Sequence, residues 1–206
     1  MSTDVWLSFV LASMILCFSP GPTVFLVMGQ SLSHGKTSVI PLVAGVLSGD
    51  VIAMSISLLG LGALLATSAV LFSIFKWVAA AYLIYLGFKT WRSKLDVENV
   101  DPVLGRNGKI FKQALVVTAL NPKGIIFFIA FFPLFIDADK AVLPQMLIMA
   151  LSFLMASALS AAFYSIFSGY LRSKIKSVQV QKVFNKISGS MLIGAGSVTA
   201  TLQQSG

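Results

Sequence analysis

Charge, and acid above all, is scarce in this 206-residue sequence. Only 11% of it is charged, against about 25% in a typical soluble domain, and just seven residues are Asp or Glu. Cys17 is the single cysteine. Neither a disulfide framework nor a Cys-based metal site can therefore be built within one chain, and redox chemistry is disfavoured. The one histidine, His34, falls in a polar turn and reads as an exposed loop residue, not a proton relay. The start, Met1-Ser2-Thr3-Asp4, has no basic n-region and no small-residue cleavage site ends the apolar run behind it, so that run is expected to be a retained membrane span.

What is present is apolar. Hydrophobic residues make up 57% of the chain and mean hydropathy is +0.90, values that belong to an integral membrane protein in a lipid bilayer. The 16 Phe, 16 Gly and 8 Met suit closely packed helices better than barrel strands, which would alternate apolar with polar residues. The fold class is all-α. A net charge of +8 does not imply nucleic acid, because the cations lie in short connections beside spans, where they set orientation.

Six apolar runs follow one another: about Val5 to Gly29, Val39 to Leu65, Val70 to Leu86, Ile110 to Ile136, Val142 to Gly169 and Ile187 to Leu202. The polar stretch 93–109 divides the chain into halves, 1–92 and 110–206, of one transmembrane domain. With six spans, one side of the membrane collects Lys36, Lys89, Arg92, Lys94, Arg106, Lys109, Lys112, Arg172, Lys174, Lys176, Lys182 and Lys186, and the other has Lys76 and Lys140. The loops after spans one, three and five are thus expected in the cytoplasm and both termini outside. Five spans, with one run not fully crossing, is the alternative.

Two of these runs are interrupted. Ser19-Pro20-Gly21-Pro22 breaks span one and Asn121-Pro122-Lys123-Gly124 breaks span four. Each pairs a good N-cap residue, Ser19 or Asn121, with proline at the next position, and so predicts one helix ending and another starting inside the membrane. Backbone groups freed there must be buried in protein or line a cavity, and discontinuous spans of this kind form the binding sites of secondary transporters. The sequence after Ser19 resembles that after Asn121, and Phe75, Leu83, Ile84 and Gly87 align without gaps with Phe184, Leu192, Ile193 and Gly196. Two similar halves of three spans each must insert in opposite orientations. The expected plan is two inverted three-helix repeats, with broken spans one and four meeting at the midplane.

Asp50 lies near the middle of span two, where an acid costs on the order of 2.5 to 3.5 kcal/mol to insert. It is the only acid within a span, and reads as a proton-coupling or ammonium-binding carboxylate, or else as a structural acid bonded to backbone or to Lys123. Hard inorganic cations generally need several carboxylates, so an inorganic-cation exporter is the weaker transport reading. Lys123, inside span four, either binds a substrate carboxylate, pairs with Asp50, or snorkels to water. The helix starts at Pro20 and Pro122 offer unpaired N–H groups to a carboxylate, and the carbonyls ending each preceding half suit an ammonium. Together they suit a zwitterion such as an amino acid. Gly45 and Gly49 make a small-residue face for packing within the protomer or, less simply, between two protomers of a homodimer. Tyr82, Tyr85 and Trp91 read as an interfacial belt, and the Phe-rich stretch from Phe127 to Phe135 as lipid-facing or core.

Pro20-Gly21-Pro22, Gly49-Asp50, Tyr82-Leu83-Ile84-Tyr85-Leu86-Gly87 and Asn121-Pro122-Lys123-Gly124, in that order, resemble the LysE/RhtB-type amino-acid exporters of bacterial inner membranes over almost the whole chain. Many members carry Asn directly after Pro-Gly-Pro, where this chain has Thr23. The resemblance implies export of amino acids or close derivatives from the cytoplasm, coupled to protons, with no enzyme activity and no bound cofactor. The candidate substrate site, read from the two helix breaks, comprises Ser19, Pro20, Gly21, Pro22, Thr23, Asn121, Pro122, Lys123 and Gly124. A membrane thiol oxidoreductase would need a cysteine beside each break, and the second has none. A non-transport membrane scaffold is the remaining reading from another class.

Overall fold

The computed structural model describes residues 1–19, 21–67, 69–92, 107–137, 140–168 and 178–201, and all regular structure among them is helical. In chain order these are α1 (Thr3–Phe18), α2 (Pro22–His34), a 3₁₀ turn (Gly35–Ser38), α3 (Val39–Thr67), α4 (Ala69–Arg92), α5 (Asn107–Ala119), α6 (Pro122–Ile126), α7 (Val142–Ile166) and α8 (Val178–Thr201). A π-helical turn over Phe127–Phe131 and a 3₁₀ turn over Phe132–Phe135 continue α6. Pro20 and the stretch 93–106 lie outside the described residues, as does the C-terminal end expected for span five, Gly169.

By length and apolarity Pro22–Gly60 and Val142–Ile166 can cross a membrane, and α5 with Pro122–Phe135 makes an apolar helix pair bent by 44° at the break, with the form of a broken span or a re-entrant loop. Pro22–Gly60 is 39 residues, about 58 Å of helix, nearly twice a hydrocarbon core. Gly35, at φ 63°, breaks that stretch in left-handed backbone that residues with a Cβ avoid, so α2 and α3 are separate elements. α8 starts nine residues before the apolar run that announced it, because a helix carries exposed Lys182 and Lys186 without interruption.

The two breaks differ in register. At the second, Asn121 is the N-cap, its side chain accepting from the Lys123 N–H at 3.1 Å, and Pro122 opens α6 as expected. At the first, Ser19 is the C-cap of α1, Gly21 is the N-cap of α2, and Pro22 rather than Pro20 is the first helical residue. The second proline decides this: a residue before proline is held out of the α region, and Gly21 is extended at φ −168°, ψ −174°.

Packing directions follow from residue pairs. Gly45 lies against Phe111 and Ala114 and Gly49 against Leu115 and Thr118, so α3 runs parallel to α5. A Cβ at Gly49 would sit 2.7 Å from the Leu115 carbonyl oxygen; the small-residue face serves contact inside the protomer. Trp6 donates to Ser152 at 3.0 Å and Tyr164 to the Phe18 carbonyl at 2.6 Å, so α1 and α7 are parallel. Gly87 meets Ile193 and Trp91 Nε1 donates to the Lys186 carbonyl at 2.8 Å, so α4 and α8 are antiparallel.

Two apolar clusters hold the bundle. One joins Val24, Val27, Leu42, Val46, Ile110, Ala114, Ala161 and Tyr164. The other is largely aromatic and places Phe9, Phe127, Phe128, Phe132, Met149 and Phe153 together, with Phe9 edge-on to Phe132 at 5.4 Å. The Phe-rich stretch of span four therefore supplies core.

Candidate functional site

Between those clusters lies a cavity of about 70 Å³. Its wall combines the two helix breaks with polar side chains from α3, α5 and α7. Toward α2 and α5 it is closed by the aliphatic cluster, backed by a Gln30–Gln113 hydrogen bond of 2.6 Å and a Ser31–Ser165 bond of 2.6 Å. On the other side Phe153 brings the aromatic cluster into its wall.

The last turn of α1 leaves carbonyls without the usual helical N–H partner; Leu16 accepts the Ser19 N–H at 3.2 Å, and side chains from elsewhere bond to the whole set. Lys123 Nζ donates to the Leu16 oxygen at 2.9 Å and to the Ser19 oxygen at 3.1 Å. Between them, Ser160 donates to the Cys17 carbonyl at 2.7 Å and Tyr164 to that of Phe18. The carbonyls expected to attract an ammonium do hold one, and it comes from the chain itself. The breaks are also stitched in the opposite direction: Asn121 Nδ2 donates to Thr23 Oγ1 at 3.2 Å, and Thr23 and Thr118 hydroxyls lie 3.4 Å apart. Thr23, where an amide is common in the resembling family, thus takes its amide contact from Asn121.

Asp50 is 7% exposed and accepts from the Ser157 hydroxyl through Oδ2. Among the described residues no ion pair joins it to Lys123. The N-cap of α2 is Gly21, which has no side chain to cap the helix, and Gly21, Thr23 and Val24 bring the start of α2 into the cavity wall. A single cavity therefore presents a carboxylate that has no ion-pair partner among the described residues, together with the positive end of a helix.

Of the residues singled out from sequence, Ser19, Gly21, Thr23, Asp50, Asn121, Lys123 and Gly124 line the cavity. Pro22 and Pro122 open the helices behind it without lining it, and Pro20 is not described. Sequence reasoning missed Thr118 and the α7 residues Ser157, Ser160 and Tyr164. Their signal was available: positions 157, 160 and 164 share one helical face of an apolar span, and polar residues in a span face the bundle interior.

A model of the LysE type translocator family matches residues 14–203. Over 203 residues the chain is 32% identical to the homoserine/homoserine lactone efflux proteins of Salmonella typhimurium and Salmonella typhi. It is 30% identical, again over 203 residues, to an uncharacterized membrane protein of Vibrio cholerae. Each alignment covers 98% of both chains. No solved structure matches.

Proposed function

This chain belongs to the LysE type translocator family, which makes it a membrane transporter and not an enzyme, and from that premise we propose that it exports amino acids or close derivatives by proton antiport. The observation that carries the proposal is the presence in one cavity of the Asp50 carboxylate, which has no ion-pair partner among the described residues, and of the start of α2, whose N-cap is the side-chain-free Gly21. A substrate ammonium binds Asp50 and its carboxyl or carbonyl oxygen accepts from the α2 N–H groups, with Thr23, Asn121 and Gly124 as the adjoining wall. The names of the Salmonella relatives make homoserine and its lactone the first substrates to test.

We place the chain in the bacterial inner membrane with six crossings, as two inverted repeats, 1–92 and 110–206. Three packing relations support this plan. Crossings one and five point one way, two and four the other, and three opposes six, which matches the parallel α1–α7 and α3–α5 pairs and the antiparallel α4–α8 pair.

In the antiport cycle, Asp50 holds either a proton or the substrate ammonium, so loading one releases the other, and the two loaded states favour cavities open to opposite sides. Asp50→Asn keeps size and hydrogen bonding but cannot titrate. In proteoliposomes carrying an imposed pH gradient, wild type concentrates homoserine and Asp50→Asn does not. Accumulation by Asp50→Asn equal to wild type overturns the coupling role. Overproducing cells that neither resist nor export any member of an amino-acid panel would leave the scaffold reading standing.

A further inference from the structure

Lys123 was read from sequence as a ligand for substrate, a partner for Asp50 or a side chain snorkelling to water, and its contacts in the structure are with backbone carbonyls instead. Its ammonium, half-buried in the cavity wall, is committed to two carbonyl oxygens at the end of α1, Leu16 at 2.9 Å and Ser19 at 3.1 Å. Those oxygens belong to a set of four successive carbonyls, and the intervening pair is occupied by the Ser160 and Tyr164 hydroxyls. Carbonyls at the end of an unwound half-helix make a cation site, because the helix dipole places negative potential there. We propose that Lys123 is a tethered cation filling this carbonyl cage, so that it positions the two helix breaks against each other and leaves the substrate ammonium to Asp50.

Three features carry this. Lys123 is the second residue of α6, fixed there by the Asn121 cap that accepts its own N–H at 3.1 Å. Its stem passes beside Gly21, where a Cβ would lie 3.9 Å from Lys123 Cδ, an ordinary van der Waals distance, so the stem packs directly on the first break. The bond from Asn121 to Thr23 runs the other way across the same crossing. The end of α1 therefore cannot part from the start of α6 unless the ammonium leaves its cage, and while it stays each of the four carbonyls already has a donor.

A cage emptied by shortening its tethered cation accepts a free one of the same chemistry. Purified Lys123→Ala should melt below wild type in detergent, and methylammonium chloride should raise its Tm saturably while leaving wild type unmoved. Tetramethylammonium, of equal charge but without N–H donors, should not. Lys123→Met, whose side chain fills the channel without donating, should be destabilised and gain nothing from methylammonium. This thermal arm needs no substrate, so its failure is separable from failure of the export reading on which the transport arm rests.

In homoserine counterflow, which needs no pH gradient, Lys123→Ala should exchange at least tenfold more slowly than wild type at unchanged KM, and methylammonium should restore part of the rate. Should Lys123→Ala not accumulate, Lys123→Gln, which keeps an N–H donor on a shorter stem, should give reduced maximal exchange at unchanged KM. Absence of any ammonium-specific gain in folded Lys123→Ala overturns the proposal. So does a raised KM at unchanged maximal rate in either variant, which would make Lys123 a substrate ligand.

Discussion

Tyr164 shows how much a single side chain contributes where a helix ends in the membrane. Its hydroxyl is the partner of the Phe18 carbonyl at 2.6 Å, in a wall where no lipid group can replace it. Tyr164→Phe keeps the ring and deletes that donor. A buried carbonyl left without a partner costs about 1 to 3 kcal/mol, so the variant should unfold more readily by that amount in mixed-micelle denaturation while inserting normally. No change would mean that another donor reaches Phe18. Asp50 was legible at this scale, because one acid in a long apolar run has a cost that calls for a reason. Tyr164, Ser157 and Ser160 were not, since hydroxyls are common in spans and cost little when they bond to their own helix.

At the scale of elements, glycine separates helices that must touch backbone to backbone from those that face lipid. Gly49 on α3 has the Leu115 carbonyl oxygen and Thr118 Cβ each 2.7 Å from where a Cβ would stand, while Gly60 on the same helix has nothing within 4 Å. Gly49→Leu should force α3 off α5, open the cavity wall at Asp50 and abolish transport with loss of folded protein. Gly60→Leu should retain both, as judged by size-exclusion profile and efflux. Equal behaviour of the two would remove α3–α5 contact as the reason for Gly49. Both helix breaks were readable from the sequence because proline leaves few local options, yet the register of the first was not. Two prolines compete there, and Pro22 prevails over Pro20 by holding Gly21 out of the α region, a local effect that the pairing of Ser19 with Pro20 hid.

At the scale of the whole molecule, the proposed six-crossing plan predicts from the asymmetry of loop cations that the 3₁₀ turn at Thr37 faces the cytoplasm and the turn at Lys140 the outside. Both residues are exposed. With labelling of Cys17 alone as the blank, Thr37→Cys should be protected from an impermeant thiol reagent in intact cells and Lys140→Cys should react. The reverse pattern inverts the orientation without touching the fold.

The sequence by itself determined that this chain is helical and lives in a bilayer, that two of its spans are broken, and that an acid sits between them. These are consequences of local chemistry: hydropathy, proline and the cost of a buried charge act wherever the chain goes. Only the tertiary structure decided what meets what. It put the two breaks across one cavity, brought a face of α7 to the carbonyls of α1, and set Lys123 on those carbonyls instead of on Asp50. Partner choice of that kind depends on helix crossing and rotation, to which residues far apart in sequence contribute together, and one apolar helix face reads much like another until its neighbour is in place.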